Sequence, residues 1–169
     1  MQILGICGSL QARSNNLALL RVAAAAVPVG VELSIFDGVR ELPLFNPDLE
    51  AAAVPESVTQ WRNALATSDA LLIACPEYGF SLPGALKNAI DWVIGSGELE
   101  TKVVGITTAV PSRVRGWRGL NALRDTLSAV RASIVGGEPI SLGADFDEEV
   151  TKLVHLVVAA AGNKRSRDR

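Results

Sequence analysis

Ile3-Leu4-Gly5-Ile6-Cys7-Gly8-Ser9-Leu10-Gln11-Ala12-Arg13-Ser14-Asn15-Asn16 begins as an uncharged, mostly apolar run, breaks at Gly8-Ser9 and continues as a polar loop. A short run with no alternating polar positions predicts a strand buried on both faces. Leu17 to Val27 follows with Leu17, Leu20, Arg21 and Ala24 at helical spacing, and Pro28 stands just beyond to stop it. Strand, polar loop and helix in that order form the first unit of an α/β sheet.

The alternation continues to the end of the chain. Val31 to Phe36 is β-branched and apolar, a second strand. Asp37 to Pro55 holds Pro43, Pro47 and Pro55 and reads as a long connection, of a length that is uncommon without an element of its own and is often functional. Glu56 to Thr67 fits a helix with Val58, Trp61 and Leu65 on one face, and Ala70 to Cys75 is a third strand ended by Pro76. Gly84 to Ile94 places Leu86, Ala89, Ile90, Val93 and Ile94 on one helical stripe. Val103 to Thr108 reads as a fourth strand, Leu120 to Ala132 as a helix, Ser133 to Val135 with Pro139 to Ser141 as a broken fifth strand, and Glu148 to Ala161 as a closing helix. Parallel neighbours need crossovers, and here the crossovers are helices, so the pattern predicts a doubly wound α/β fold covered on both faces. Ligands in such sheets sit outside the carboxyl ends of the strands, which directs attention to the loops after strands one, three and four.

A chain of 169 residues and 17.8 kDa has room for one domain. With 49% apolar and 20% charged residues it can build a core, which excludes disorder of the whole chain. The formal charge of -2 supplies no global field for nucleic acid or anionic lipid. Charge is uneven, however. Residues 163–169 carry Lys164, Arg165, Arg167 and Arg169 against Asp168; setting these four bases and one acid aside from the 16 and 18 of the whole chain leaves 12 and 17, a body of net -5. That segment reads as a frayed, solvated and disordered basic tail behind a single domain spanning residues 1–162. Two cysteines, Cys7 and Cys75, and a start with neither basic region nor cleavage site point to the cytoplasm. No apolar run approaches the ~18 residues of a membrane span; Val154 to Gly162 comes nearest and contains His155.

The loop Gly8 to Asn16 concentrates hydroxyl and amide side chains where a helix begins. Unsatisfied N–H groups and the positive end of the helix dipole make this an anion cradle, and a single terminal phosphate among Ser9, Ser14 and Asn16 gains hydrogen bonds and charge together. The alternative is that Ser14 serves only as an N-cap. It is neither a P-loop nor the G-x-G-x-x-G dinucleotide turn. In the loop after strand three, Pro76, Gly79, Pro83 and Gly84 bend the backbone into a path that can hold N–H groups and an aromatic face against a flat ligand. Tyr78, the chain's one tyrosine, is either that stacking partner or a packing plug.

Gly8-Ser9-Leu10 with Ser14 and Asn16, then Pro76-Glu77-Tyr78 with Ser81, Pro83-Gly84 and Leu86-Lys87-Asn88-Ala89-Ile90-Asp91-Trp92, resembles the NADPH-dependent FMN reductase family of flavodoxin-like proteins. Leu42-Pro43-Leu44-Phe45-Asn46-Pro47-Asp48-Leu49-Glu50 is similar to the family's stretch after strand two, and Leu123-Arg124 with Leu127 to its helix after strand four. The likeness runs from Ile3 to about Leu142. It implies a five-stranded parallel sheet of order 2-1-3-4-5, with helices on both faces. It also implies an FMN whose phosphate lies in the first loop against Ser9, Ser14 and Asn16, with Gln11 and Arg13 in that loop, and whose ring lies against Pro76, Glu77, Tyr78, Gly79 and Ser81. Two positions depart from the family pattern. Position 11 is usually Arg and is Gln11 here, with Arg13 standing as a displaced positive charge; position 79 is often Asn and is Gly79 here.

The resemblance further implies a ping-pong NAD(P)H oxidoreductase, in which NADPH or NADH reduces bound FMN and a flavin, quinone, azo compound or metal oxyanion takes the electrons. Such an enzyme needs no catalytic side chain, since the flavin carries the chemistry. The one histidine, His155, falls on the closing helix away from the ligand edge, and no spacing suggests a metal. Arg113, Arg115, Arg118, Arg124 and Arg131 face a single acid, Asp125; the first three fall in the loop after strand four, where they either meet the phosphates of NADPH or form a solvated basic face. Cys7 and Cys75 end neighbouring strands, as a redox pair or as ordinary buried thiols. In the family, the helix carrying Trp92 and the Leu42 to Glu50 segment help build a homodimer, so a homodimer or homotetramer is expected. The rival functions are a flavodoxin-type FMN electron carrier without NAD(P)H activity, whose Thr-rich phosphate loop and strongly acidic surface are absent, and an FMN-free interaction protein, which rests on Gln11 and Gly79.

Overall fold

The apolar run at the start forms β1 (Gln2–Cys7), and the chain then alternates as its patterning requires. The computed structural model describes residues 1–167. Helix α1 (Asn15–Ala25) leads to β2 (Glu32–Phe36), a 3-10 turn (Gly38–Glu41) and α2 (Pro47–Ala52); α3 (Glu56–Thr67), β3 (Ala70–Ala74), α4 (Gly84–Asp91), β4 (Val103–Val110), α5 (Trp117–Ala129), β5 (Ser133–Ser141) and α6 (Phe146–Arg167) complete the series. The strands pair in parallel in the order β2-β1-β3-β4-β5. This is the flavodoxin-like order. Both β3 and β4 are buried along their whole length, which is why they lack polar alternation.

Each face of the sheet is covered by its own helices. On one side Leu19, Leu20 and Ala23 of α1 and Val150, Val154 and Val157 of α6 pack on Ile3, Leu72 and Val103. On the other, Trp61 and Leu65 of α3, Leu86 and Ile90 of α4, and Leu120, Leu123 and Leu127 of α5 pack on Leu4, Ile6, Leu71 and Ile73. Burying each of these large side chains contributes roughly 1.5–3 kcal/mol, so helix placement is decided by the two apolar faces rather than by propensity.

Three expectations are corrected. The Asp37 to Pro55 connection contains the 3-10 turn and α2, which begins where the Asn46 side chain accepts the Asp48 N–H and Pro47 occupies the first turn. The fifth strand is continuous: Gly136 and Gly137 adopt positive φ and form a bulge opposite Thr107, whose hydroxyl donates to the Glu138 carbonyl, and Pro139 is tolerated because β5 is an edge. The closing helix does not end at Ala161. It runs through residue 162 into the expected tail, and Lys164 Nζ donates to the Thr101 carbonyl at 2.6 Å. Residues 168–169 of that expected tail lie outside the described residues. No helix among the described residues is long and apolar enough to cross a membrane.

Candidate functional site

The loops after β1, β3 and β4 meet at the carboxyl edge of the sheet, and side chains tie them together. Gly8 sits so close to its neighbours that a Cβ there would lie 3.1 Å from Leu86 Cδ2 and 3.1 Å from Pro76 Cδ. The first loop can therefore approach the third. Ser9 Oγ is 3.2 Å from the Tyr78 hydroxyl and accepts the Gln11 N–H. Ser14 is the N-cap of α1, its hydroxyl accepting the Asn16 N–H. Asn16 is buried, and its Oδ1 accepts the N–H of Ala109 in β4 at 3.0 Å, so this amide anchors the loop from behind. Gln11 and Arg13 are exposed at the outside of the loop. The N–H groups of Leu10, Ala12 and Arg13 meet no acceptor among the described residues, which leaves a set of donors at the start of a helix.

The third loop is a tight hairpin. Gly79 (φ 57°) and Phe80 (φ 63°) are both left-handed, and Tyr78 and Ser81 exchange two backbone bonds of 3.0 Å, the arrangement of a type I′ turn. Glycine supplies this geometry without strain; a phenylalanine held there is unusual and presents an exposed ring. The Arg118 guanidinium stacks on that ring, 4.1 Å from its centre. Glu77 turns away from the hairpin, and its Oε2 accepts the N–H groups of Arg118 at 2.9 Å and Gly119 at 3.2 Å. A carboxylate thus closes the N-terminus of α5, whose own N-cap, Gly116, has no side chain to do so. Because Glu77 is committed there, only its backbone is left to meet a flat ligand.

An open groove of about 580 Å³ lies between these loops, lined by Pro76, Glu77, Phe80, Thr108, Val114, Arg115, Trp117 and Arg118 among others. Gly116 (φ 88°) presses its loop onto β4, where a Cβ would come 2.5 Å from Thr108 Cγ2. At the floor, Thr108 Oγ1 is buried and has no hydrogen-bond partner among the described residues. A buried hydroxyl without a partner is exceptional in a native fold and calls for an explanation. Thr108 carries a sequence signal of its own, two adjacent hydroxyls, Thr107 and Thr108, in a buried apolar strand, whereas Phe80 and Trp117, which wall the groove, carry none.

Other expected residues separate. Arg113 leaves the groove, pairs with Glu149 of α6 and lines a different cavity of about 440 Å³ between β5 and α6. Arg115 and Arg118 remain at the groove, Arg118 within the first turn of α5 rather than in the loop. Cys7 packs with the α1 and α6 side of the sheet and Cys75 with the α3, α4 and α5 side, so the sheet stands between the two thiols. Burial raises the pKa of both, that of Cys75 to about 12, with nearby Cys7 adding to the effect, and neither is a reactive thiolate. His155 is exposed on α6. Trp92 is fully buried within the subunit, its indole N–H on the Pro43 carbonyl at 2.8 Å and its ring edge-on to Phe45. Asn88 accepts the Phe45 N–H and donates to the same Pro43 carbonyl. Asn88 on α4 and Trp92 just past its end pin the Leu42 to Glu50 segment.

Residues 1–147 match the family model described as NADPH-dependent FMN reductase. The chain is 39% identical over 129 residues to an NAD(P)H-dependent FMN reductase of Pseudomonas aeruginosa, covering 75% of this chain and 69% of that protein. It is 28% identical over 153 residues to a quinone reductase of Escherichia coli, covering 89% and 81% respectively. Among solved structures, the flavoenzyme NAD(P)H:(acceptor) oxidoreductase FerB of Paracoccus denitrificans superposes with a TM-score of 0.81 at 28% identity, over 95% of each chain. A Bacillus cereus flavodoxin, 14% identical with a TM-score of 0.68, shares the fold.

Proposed function

The chain belongs to the NADPH-dependent FMN reductase family, and from that premise we propose that it is an FMN-dependent NAD(P)H oxidoreductase that reduces small flat acceptors such as quinones and flavins. One observation carries the reading beyond the family match: a cradle of unpaired N–H groups at α1 and an orphaned Thr108 hydroxyl lie at the same sheet edge, where the Ser9 to Tyr78 contact ties the first loop to the loop after β3. A molecule with a terminal phosphate and a flat, hydrogen-bonding ring satisfies both. The residues therefore fit FMN. When bound, FMN supplies hydride acceptance and onward electron transfer, chemistry that no side chain here could provide.

The chain's own residues bind and orient. Ser9, Ser14 and the unpaired loop N–H groups of Leu10, Ala12 and Arg13 hold the phosphate end, with the Arg13 side chain adding charge from outside. Asn16 acts through the backbone it anchors on Ala109. The backbone of Pro76 to Gly79, with Tyr78 and Ser81, borders the ring, and Thr108 offers its hydroxyl from the floor. Phe80 and Trp117 keep water from one side of the groove, while Arg115 and Arg118 supply the positive charge that the phosphates of NADPH or NADH require. Arg113 is spent on Glu149 and takes no part. Donor and acceptor use one groove in turn, which is the geometry of ping-pong turnover. A homodimer or homotetramer belongs to the same reading, because Leu44, Leu49 and Ile94 are exposed in the segments expected at that interface. A cytoplasmic setting supplies the nicotinamide donor.

The test is anaerobic addition of NADPH to protein loaded with FMN. Loss of the yellow flavin absorbance, restored by a quinone, is expected; persistent colour would identify an electron carrier, and failure to retain any flavin would end the FMN reading.

A further inference from the structure

The first loop carries a single cation, the exposed Arg13, for a doubly negative phosphate. Gln11 is neutral, Ser9 and Ser14 already accept backbone bonds, and Asn16 is turned to β4. A second cation stands beside this loop, and it comes from elsewhere in the chain. Arg40, on the 3-10 turn Gly38–Glu41 after β2, donates from Nη2 to the Leu10 carbonyl at 3.3 Å. It also lines a small cavity of about 70 Å³ together with Ser9, Leu10, Gln11 and Ala12.

Three features fit Arg40 for an anion. No carboxylate lies within 4 Å of it among the described residues, unlike Arg62, which pairs with Glu50, and Arg113, which pairs with Glu149. Asp37 lines the same cavity without pairing to it. One of its five N–H donors is used on the loop and the remaining four are free to turn to a ligand. The 3-10 turn that carries it is held from below, since Val39 is buried in the core among the α3 and α4 side chains.

We propose that Arg40 supplies the positive charge at the phosphate end of the FMN site, in place of the charge that Gln11 does not carry, while holding the loop through the Leu10 carbonyl. This rests on the FMN reading of the site. Loop-holding and charge are separable, because riboflavin has the ring and ribityl chain of FMN but no phosphate. If Arg40 acts on charge, its loss weakens FMN and spares riboflavin. If it acts only by holding the loop, both weaken together.

The experiment is titration of flavin-free protein with FMN and with riboflavin, followed by quenching of flavin fluorescence, for the wild type, Arg40→Gln, Arg40→Lys and Arg13→Gln. For Arg40→Gln the FMN dissociation constant is expected to rise about tenfold, as suits one charge-assisted contact at an exposed site, with riboflavin unchanged within a factor of about two. Arg40→Lys should recover most of the loss, and the dependence of FMN binding on salt should be shallower in Arg40→Gln. Adding Gln11→Arg to Arg40→Gln should restore FMN affinity. The inference is overturned if Arg40→Gln binds FMN as wild type does, if FMN and riboflavin weaken equally, or if Arg13→Gln alone accounts for the phosphate preference. Wild-type protein that binds neither flavin would overturn the FMN reading itself, an outcome distinct from these.

Discussion

Replacing Glu77 by alanine tests whether the third loop and α5 are one mechanical unit. The Glu77 carboxylate accepts N–H bonds of 2.9 Å from Arg118 and 3.2 Å from Gly119, at a helix start where Gly116 offers no side chain. Two bonds to a charged acceptor would be worth several kcal/mol if fully buried, but Glu77 is only half-buried, so the capping range is the better guide: about 1–2 kcal/mol lost in Glu77→Ala. For a chain of this size that lowers Tm by roughly 2–8 °C. Glu77→Gln keeps an acceptor oxygen and loses only the charge against the helix dipole, about 0.5 kcal/mol. Thermal unfolding of the three proteins gives the ranking, and amide exchange gives the location, with Arg118 and Gly119 losing protection in Glu77→Ala before the rest of α5. The packing adds a second handle. A Cβ on Gly119 would lie 2.9 Å from Glu77 Cα and 3.2 Å from the Pro76 carbonyl, so Gly119→Ala should push the same loop away and weaken flavin binding. A Glu77→Ala protein that melts within 1 °C of wild type (about half the smallest shift anticipated) and keeps both amides protected would refute the reasoning.

Three further outcomes are expected. Asn16→Ala leaves the buried Ala109 N–H without its acceptor and should cost about 1–3 kcal/mol in urea unfolding, with flavin affinity falling as the first loop loosens. Burial raises the Cys75 thiol from an ordinary 9.0 to about 12, so the folded state favours the protonated form. That contribution is whole below pH 9 and lost as pH rises toward 12, and stability measured across this window should decline less steeply in Cys75→Ala than in wild type. Arg113→Gln should leave KM for NADPH unchanged, because Arg113 is paired with Glu149, whereas Arg118→Gln should raise it several-fold under the proposed role of Arg118 in meeting the donor's phosphates; equal effects in steady-state kinetics would return Arg113 to the groove.

The parts of this fold legible in the chain are those whose cause is local. Glu56–Thr67 was readable to the residue because Pro55 before it and a Val58, Trp61, Leu65 stripe within it both act over a few positions. The sheet order came through the likeness of the motifs, not through periodicity, which cannot rank strands. Helix α2 was locally encoded, since Asn46-Pro47-Asp48 is a cap followed by a first-turn proline, but six residues are too few to show a stripe. The single fifth strand was hidden because Gly136 and Gly137 read as an interruption, and only pairing with Thr107 and Thr108 across the sheet turns an interruption into a bulge.

The site was legible in composition and not in role, and the reason is distance along the chain. Asn16 reaches Ala109, 93 residues away, Glu77 reaches Arg118, 41 away, and Arg40 reaches Leu10, 30 away. Asn16 and Glu77 look like ligand contacts when read beside their sequence neighbours, and Arg40 carries no local signal at all. In three dimensions Asn16 and Glu77 turn from the ligand edge to hold the backbone that faces it. Asn88 and Trp92 do the same for the segment after β2, so the residues most diagnostic of the family are largely those that fix loops. This division has a physical basis. FMN brings its own chemistry, so what the chain contributes is geometry, and geometry at a loop-built site is maintained by buried hydrogen bonds whose loss leaves a backbone group unpaired.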